Sequence, residues 1–166
     1  MRTYGWSTDR TDAVRAFSTS PRCGTVQMQL NVFEVNADLL ALCDELNLAS
    51  INRGPLGMGV LTGKFAPGAT FKDDDVRTHA KWAAAFKDGR PNPEWLKRLE
   101  SIREVLTSGG RSLGQGALAW IWARSGKTVP IPGFKTVKQV EENCKAMEFG
   151  PLTPGQMAEI DRILGR

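Results

Sequence analysis

Residues 129–143 hold the densest set of chemically capable side chains in the chain: Val-Pro-Ile-Pro-Gly-Phe-Lys-Thr-Val-Lys-Gln-Val-Glu-Glu-Asn. An apolar run leads through Gly133 to Lys135. Thr136 and Gln139 then have the Thr-x-x-Gln spacing of a capping box, which predicts a helix start. A helix N-terminus presents unpaired N–H groups and partial positive charge, so such a segment can hold a phosphate. Lys135 adds a full charge just ahead of it, and Glu142 and Asn143 fall one turn beyond Gln139. A second candidate is residues 51–65, Ile-Asn-Arg-Gly-Pro-Leu-Gly-Met-Gly-Val-Leu-Thr-Gly-Lys-Phe. Here Gly54, Gly57 and Gly59, flanking Leu56, let backbone approach a ligand closely, although a surface loop can carry the same glycines. A P-loop is excluded. That motif needs glycine where Met58 stands and Ser or Thr where Phe65 stands.

The elements that must position these groups alternate between strand and helix signals. Strands are expected over residues 2–6, 25–33, 48–52 and 128–131. Helices are expected over 12–17, 37–46, 94–107, 112–124, 137–147 and from Pro154 to near 164. Ser7-Thr8-Asp9 can cap the first helix, and Ser112/Gln115 and Thr153/Gln156 are further capping boxes. Between the third strand and Asn92 lies a long Gly- and Pro-rich connection, residues 54–92, of a length usually reserved for function or disorder. Alternating strands and helices predict a parallel α/β sheet. Thr25, Gln27 and Gln29 share one strand face and Val26, Met28 and Leu30 the other. Either a barrel strand near a site or an edge strand of an open sheet would show that pattern.

The chain's 166 residues suffice for one domain with a core. Net charge is +4 and the isoelectric point about 9.1, which suits an anionic ligand. Lys and Arg are scattered, which argues against nucleic acid as a partner. No apolar stretch approaches the roughly 20 residues of a membrane span, and residues 1–6 lack a signal-peptide core. Cys23, Cys43 and Cys144 form no framework, which fits reduced thiols and a cytoplasmic location. No Ser/His/Asp or metal-ligand spacing stands out.

Taken in order, these segments resemble the C-terminal half of the aldo-keto reductases. Residues 129–143 are similar to that family's last strand and the Pro-Gly-x-Arg/Lys-Ser/Thr turn, with Gln-x-x-Glu-Asn following. The resemblance implies that Gly133, Lys135, Thr136, Gln139, Glu142 and Asn143 hold the adenosine phosphate of NADP(H). Residues 51–65 resemble the seventh strand and its pyrophosphate loop, which implies cofactor contacts at Gly54, Leu56, Gly57 and Gly59. Gly5-Trp6-Ser7-Thr8 resembles the fifth strand's Gly-x-Ser-Asn, and Val26-Gln27 the start of the sixth strand's Val-Gln-x-x-Tyr-Asn. Ser7 and Gln27 thereby become candidates for the nicotinamide carboxamide. Alternatively, Ser7 is an N-cap and Gln27 a solvated strand residue. Thr8 stands where the family has Asn, Leu30 where it has Tyr, and Arg53 where many members stack an aromatic on the nicotinamide. A guanidinium can stack as well, and it also carries charge. Ser112-Leu-Gly-Gln-Gly-Ala-Leu-Ala-Trp120 is similar to the helix before the eighth strand, and Asp75-Val-Arg77 to an Asp-x-Arg in the long loop.

The family's proton donor is a Tyr, tuned by a Lys and an Asp with a His nearby, all on the first four strands. No catalytic residue of this chain corresponds to them. Tyr4 precedes Gly5 outside the catalytic position, and His79 lies in the long loop. The expected fold is therefore half of a TIM (β/α)8 barrel, about four parallel strands with flanking helices, against roughly 250 residues for the whole. Open strand edges and an uncovered inner face predict self-association, a dimer closing eight strands, or a complementary N-terminal half-barrel; part of residues 54–92 folding over the open face is the other outcome. The functions that follow are an NADP(H)-linked oxidoreductase half without turnover alone, a non-catalytic dinucleotide-binding or oligomerising module, or a truncated reading frame in which Met1 is an internal start.

Overall fold

The computed structural model describes residues 2–166. In chain order, β1 Tyr4–Ser7 leads to α1 Thr11–Phe17, β2 Cys23–Gln29 to α2 Ala37–Glu45, and β3 Ala49–Arg53 to a long excursion. The excursion holds a 3-10 turn at Gly57–Thr62, α3 Val76–His79 and a hairpin of β4 Phe86–Lys87 and β5 Arg90–Pro91. Helices α4 Pro93–Ser101, α5 Arg103–Thr107 and α6 Leu113–Trp122 then lead to β6 Thr128–Pro130, followed by α7 Val137–Phe149 and α8 Pro154–Leu164. Strands β1, β2, β3 and β6 pair in that order, all parallel, as the alternation predicted.

The two faces of this sheet differ in what covers them. On one, Val26 and Met28 are buried in an apolar cluster that includes Leu39 and Leu42 of α2 and Leu118 and Ile121 of α6. On the other, Thr25, Gln27 and Gln29 stand in register with Ala49, Ile51 and Arg53, and Ile51 with Val129. Ala49, Ile51, Val129 and Ile131 join neither apolar cluster of the protein, and Val129 and Ile131 are 48% and 46% exposed. Burying a Val or Ile side chain is worth about 1.5–3 kcal/mol, so the open face forgoes several kcal/mol. The long excursion does not fill it. Leu56 and Leu61 join the main core, and Val60, Ala80, Ala83, Ala85 and Phe86 gather with Trp95 into a cluster of their own.

The two open edges are unlike. Tyr4 and Thr8 donate to Arg22 and Gln27, so by strand alternation Gly5 and Ser7 turn their N–H and C=O groups outward from β1. On β6, Ser50 donates to Lys127 and Ile131 to Asn52, which leaves Thr128 and Pro130 outward. The Thr128 N–H is spent on Ser125, and proline has none. The β6 edge therefore offers acceptors only.

Four expectations are corrected. The strand expected over 25–33 begins at Cys23 and ends at Gln29, because the Asn31 Oδ1 accepts the N–H groups of Phe33 and Glu34 and closes a turn. The helix expected over 94–107 breaks at Ile102 into α4 and α5. Ser7-Thr8-Asp9 does not cap α1, whose N-cap is Arg10 without a side-chain bond. The Thr136 box is half formed. Thr136 accepts from the Gln139 N–H, while the Gln139 Oε1 takes the Lys135 N–H, one residue early. The other two capping boxes form in full.

Candidate functional site

The four strands of the main sheet run the same way, so the ends of β1, β2, β3 and β6 and the loops after them share one rim. A cavity of about 690 Å³ lies there between the loop after β3 and the start of α7. From the first come Gly54, Leu56 and Gly59; from the second, Gly133, Lys135, Thr136, Gln139, Glu142 and Asn143. Sequence-distant candidates are thus brought to one hollow. The half-formed box matters to it, because it leaves the Thr136 N–H, like those of Val137 and Lys138 in the first turn of α7, without a hydrogen-bond partner among the described residues. Those amides and the helix dipole make a seat for negative charge. Glu142 is tied elsewhere, its Oε1 accepting from the Ser112 hydroxyl at 2.6 Å and its carbonyl from Gln115, so it braces α7 on α6.

Three cations that sequence reasoning had not assigned to the site line the same cavity, Lys64, Arg77 and Lys138. Gly59 is the reason Lys64 can reach it. A Cβ there would sit 2.8 Å from the Lys64 Cε and 2.9 Å from its Nζ, and the residue has φ of +100°. Arg77 is fixed by an ion pair with Asp75 and by the faces of Phe71 and Phe65, 4.3 and 5.2 Å away. Asp75 is in turn held well below the usual carboxylate range, first by its bond from Arg77. Burial pushes the Lys64 pKa down, and the nearby charges of Arg77 and Lys135 push it further. Four cations line this cavity against two carboxylates, Asp75 and Glu142, both already engaged, which is the electrostatics of an anion site. The signals were in the sequence, as Gly63-Lys64 and Asp75-x-Arg77, but only the fold turns them toward Lys135.

The remaining candidates lie apart from this hollow. Ser7 and Gln27 meet across β1 and β2, the Ser7 hydroxyl donating to the Gln27 Oε1 at 3.4 Å on the open inner face. Arg53 and Gly57 border a second, adjoining cavity that shares Gly54 and Met58 with the first. Arg53 pairs with Asp9, whose Oδ1 also accepts the Gln29 N–H at 2.8 Å. Tyr4 packs edge-on against Phe17, and the exposed His79 sits at the end of α3 with Nε2 2.8 Å from the Asp73 carbonyl.

The family model described as the aldo/keto reductase family matches residues 2–165. The chain belongs to this family. A glycerol dehydrogenase of Gluconobacter oxydans superposes with a TM-score of 0.83 at 26% identity, over 99% of this chain and 49% of its own. The chloroplastic pyridoxal reductase of Arabidopsis thaliana is 32% identical over 130 residues, 76% of this chain and 32% of the relative. An NADP(+) aldo-keto reductase of Schizosaccharomyces pombe is 28% identical over 156 residues, 89% of this chain and 44% of the relative. The chain thus spans less than half the length of each. Its four parallel strands with flanking helices are half of the family's α/β barrel. Among the described residues no helix is long and apolar enough to cross a membrane.

Proposed function

We propose that this aldo-keto reductase half-barrel binds NADP(H), and that it contributes to carbonyl reduction only when four further strands close the barrel. The observation that carries the reading is the convergence of Lys64, Arg77 and Lys135 on the unpartnered amides that open α7. These groups fit a cofactor that ends in a phosphate and carries a pyrophosphate. Lys135 and the α7 amides suit the terminal phosphate, and Lys64 and Arg77 the pyrophosphate side. Support also comes from a relative whose name carries NADP(+), and from a family structure from Klebsiella pneumoniae in complex with NADP. Ser7 and Gln27 orient the nicotinamide carboxamide in this reading, and Arg53 lies beside the ring. The reduced nicotinamide supplies a hydride when bound. The carbonyl oxygen also needs a proton donor, and no residue of this chain is assigned that part. Three unpaired cysteines make the cytoplasm the compartment of this reading.

A second reading, an oligomerising module without turnover, is favoured by the uncovered inner face. Mixing the chain with a separately produced N-terminal half-barrel of an aldo-keto reductase discriminates. Carbonyl-dependent NADPH oxidation by the mixture, absent from either half, is expected. Stable association with no oxidation, for a half that turns over when joined covalently to its own partner, would favour the module.

A further inference from the structure

Apolar side chains stand uncovered in the helical layer beside both open edges of the sheet. At the β6 end, α7 is tied to α6 through Ser112, Gln115 and Glu142, its Ala146 is buried, and the Arg111 guanidinium bonds the Phe149 carbonyl. Val137, Val140, Cys144 and Met147 recur at steps of three and four residues, which sets them in one stripe on a side of α7 away from those ties. Val137 and Met147 are each 73% exposed. Glu141, Lys145 and Glu148 form a charged back on a third side, so the stripe is not the face α7 turns to water. At the β1 end, Tyr4 and Trp6 lie against Phe17 of α1, with ring centroids 5.3 and 5.1 Å from it, yet Trp6 is 41% exposed. Arg15 of α1 pairs with Glu45 of α2, and Ala13, about 200° round the helix from Arg15, falls on the opposite flank.

In a barrel of parallel strands, the helix after each strand lies over that strand and the next one. α7 follows β6, which has no further strand beside it, so the stripe overhangs an open place. We propose that a second copy of this chain fills it. β1 of each copy pairs with β6 of the other, which brings Trp6 of one copy beneath the α7 stripe of the other and Ala13 beside it. The edges select this arrangement. Gly5 and Ser7 turn N–H groups outward from β1, and β6 offers carbonyls at Thr128 and Pro130, so unlike edges meet. A contact between unlike surfaces either propagates or closes a ring. The sheet has the curvature of half of the family's barrel, so the second copy closes the ring at eight strands. Pairing also takes the stripe and Trp6 out of water together, a gain that strand hydrogen bonds alone lack. A chain closed on its own copy has no edge left for strands that carry a proton donor, so self-closure excludes turnover. That consequence alone rests on the proposed function; the contact itself needs no cofactor.

Sedimentation velocity and cross-linking with a short bismaleimide test this on the 166-residue chain without nucleotide. Cys23 and Cys43 are buried, so Cys144, exposed within the stripe, is the thiol that reacts. A species of two chains is expected. The unsubstituted chain should give no link between two Cys144 thiols, because a closed barrel sets the two α7 helices on opposite sides. Ala13→Cys should give a covalent dimer whose peptide map joins position 13 to Cys144. Met147→Lys should leave the circular dichroism spectrum in place and weaken the dimer by about tenfold or more. A monodisperse monomer at micromolar concentration, growth beyond two copies, or a Cys144-to-Cys144 link overturns the proposal. A dimer in which Ala13→Cys adds no link to Cys144 overturns it in favour of two sheets packed through their inner faces. A chain that is monomeric alone and pairs with an N-terminal half-barrel gives the edges to that half instead. Absence of NADPH binding in a chain that forms the expected link removes the cofactor reading alone.

Discussion

In the proposed reading, Lys135 is the residue on which discrimination between NADPH and NADH would turn. It makes no ion pair among the described residues and stands at the mouth of α7, where a 2′-phosphate would add charge that NADH lacks. Lys135→Glu is therefore expected to weaken NADPH by more than tenfold and NADH by far less, as read by titration calorimetry; equal losses would remove that role. In the same reading Lys64 and Arg77 meet the charge common to both cofactors, so Lys64→Met should weaken both by about tenfold. The pKa of Lys64 adds a linked effect. It is lowered in the free protein by burial and by Arg77 and Lys135, and an anion beside it favours the charged form. Binding should therefore take up protons at alkaline pH below the ordinary lysine range, seen as a dependence of the binding heat on buffer ionisation, and Lys64→Met should abolish the uptake. Lys135 could be found in the sequence because a helix-start signal follows it. Lys64 and Arg77 escaped because their partners are distant in the chain and no spacing rule links them to α7.

Among the elements, the turn after β3 is the one most demanding of its sequence. Gly57 has φ of +53°, and a Cβ there would stand 2.8 Å from the Trp95 ring of α4. Gly57→Ala should cost about 1–3 kcal/mol in a denaturant melt and weaken cofactor binding, since the same turn carries Gly59 and aims Lys64. Retention of wild-type stability would show that α4 is not locked to the turn. The helices and strands of the half-barrel were legible because period and capping agree: Ser112/Gln115 and Thr153/Gln156 close as full boxes. Where local rules misled, a specific side chain had another partner. Gln139 prefers the Lys135 amide, Asn31 ends β2 early, and Asp9 serves Gln29 and Arg53 rather than α1. The order within residues 54–92 was not legible, because its apolar residues follow neither helical nor strand period and find each other only in three dimensions.

At the scale of the whole molecule, the sheet is a curved wall with one donor-bearing edge, one acceptor-only edge and a bare inner face. Two β6 edges cannot pair, as neither has an N–H to give, whereas β1 of one copy can donate to Thr128 and Pro130 of another. We expect the 166-residue chain to self-associate through β1–β6 contacts, and sedimentation of a monodisperse monomer at micromolar concentration would rule this out. Ser7→Pro removes an outward donor at the β1 edge and should shift the chain toward monomer. The open wall also sets how well the cofactor hollow is preorganised, since the residues proposed for the nicotinamide lie on the bare face and those proposed for the phosphates lie on the loop and on α7. The phosphate end is accordingly expected to work without closure. Titration of the isolated chain with NADPH, followed by its melting temperature and nucleotide fluorescence, tests this most directly. Saturable binding with a rise in melting temperature is predicted, by about 2.7 kcal/mol of added stability at a hundredfold excess over the dissociation constant. A melting curve and fluorescence unchanged at millimolar NADPH would contradict it.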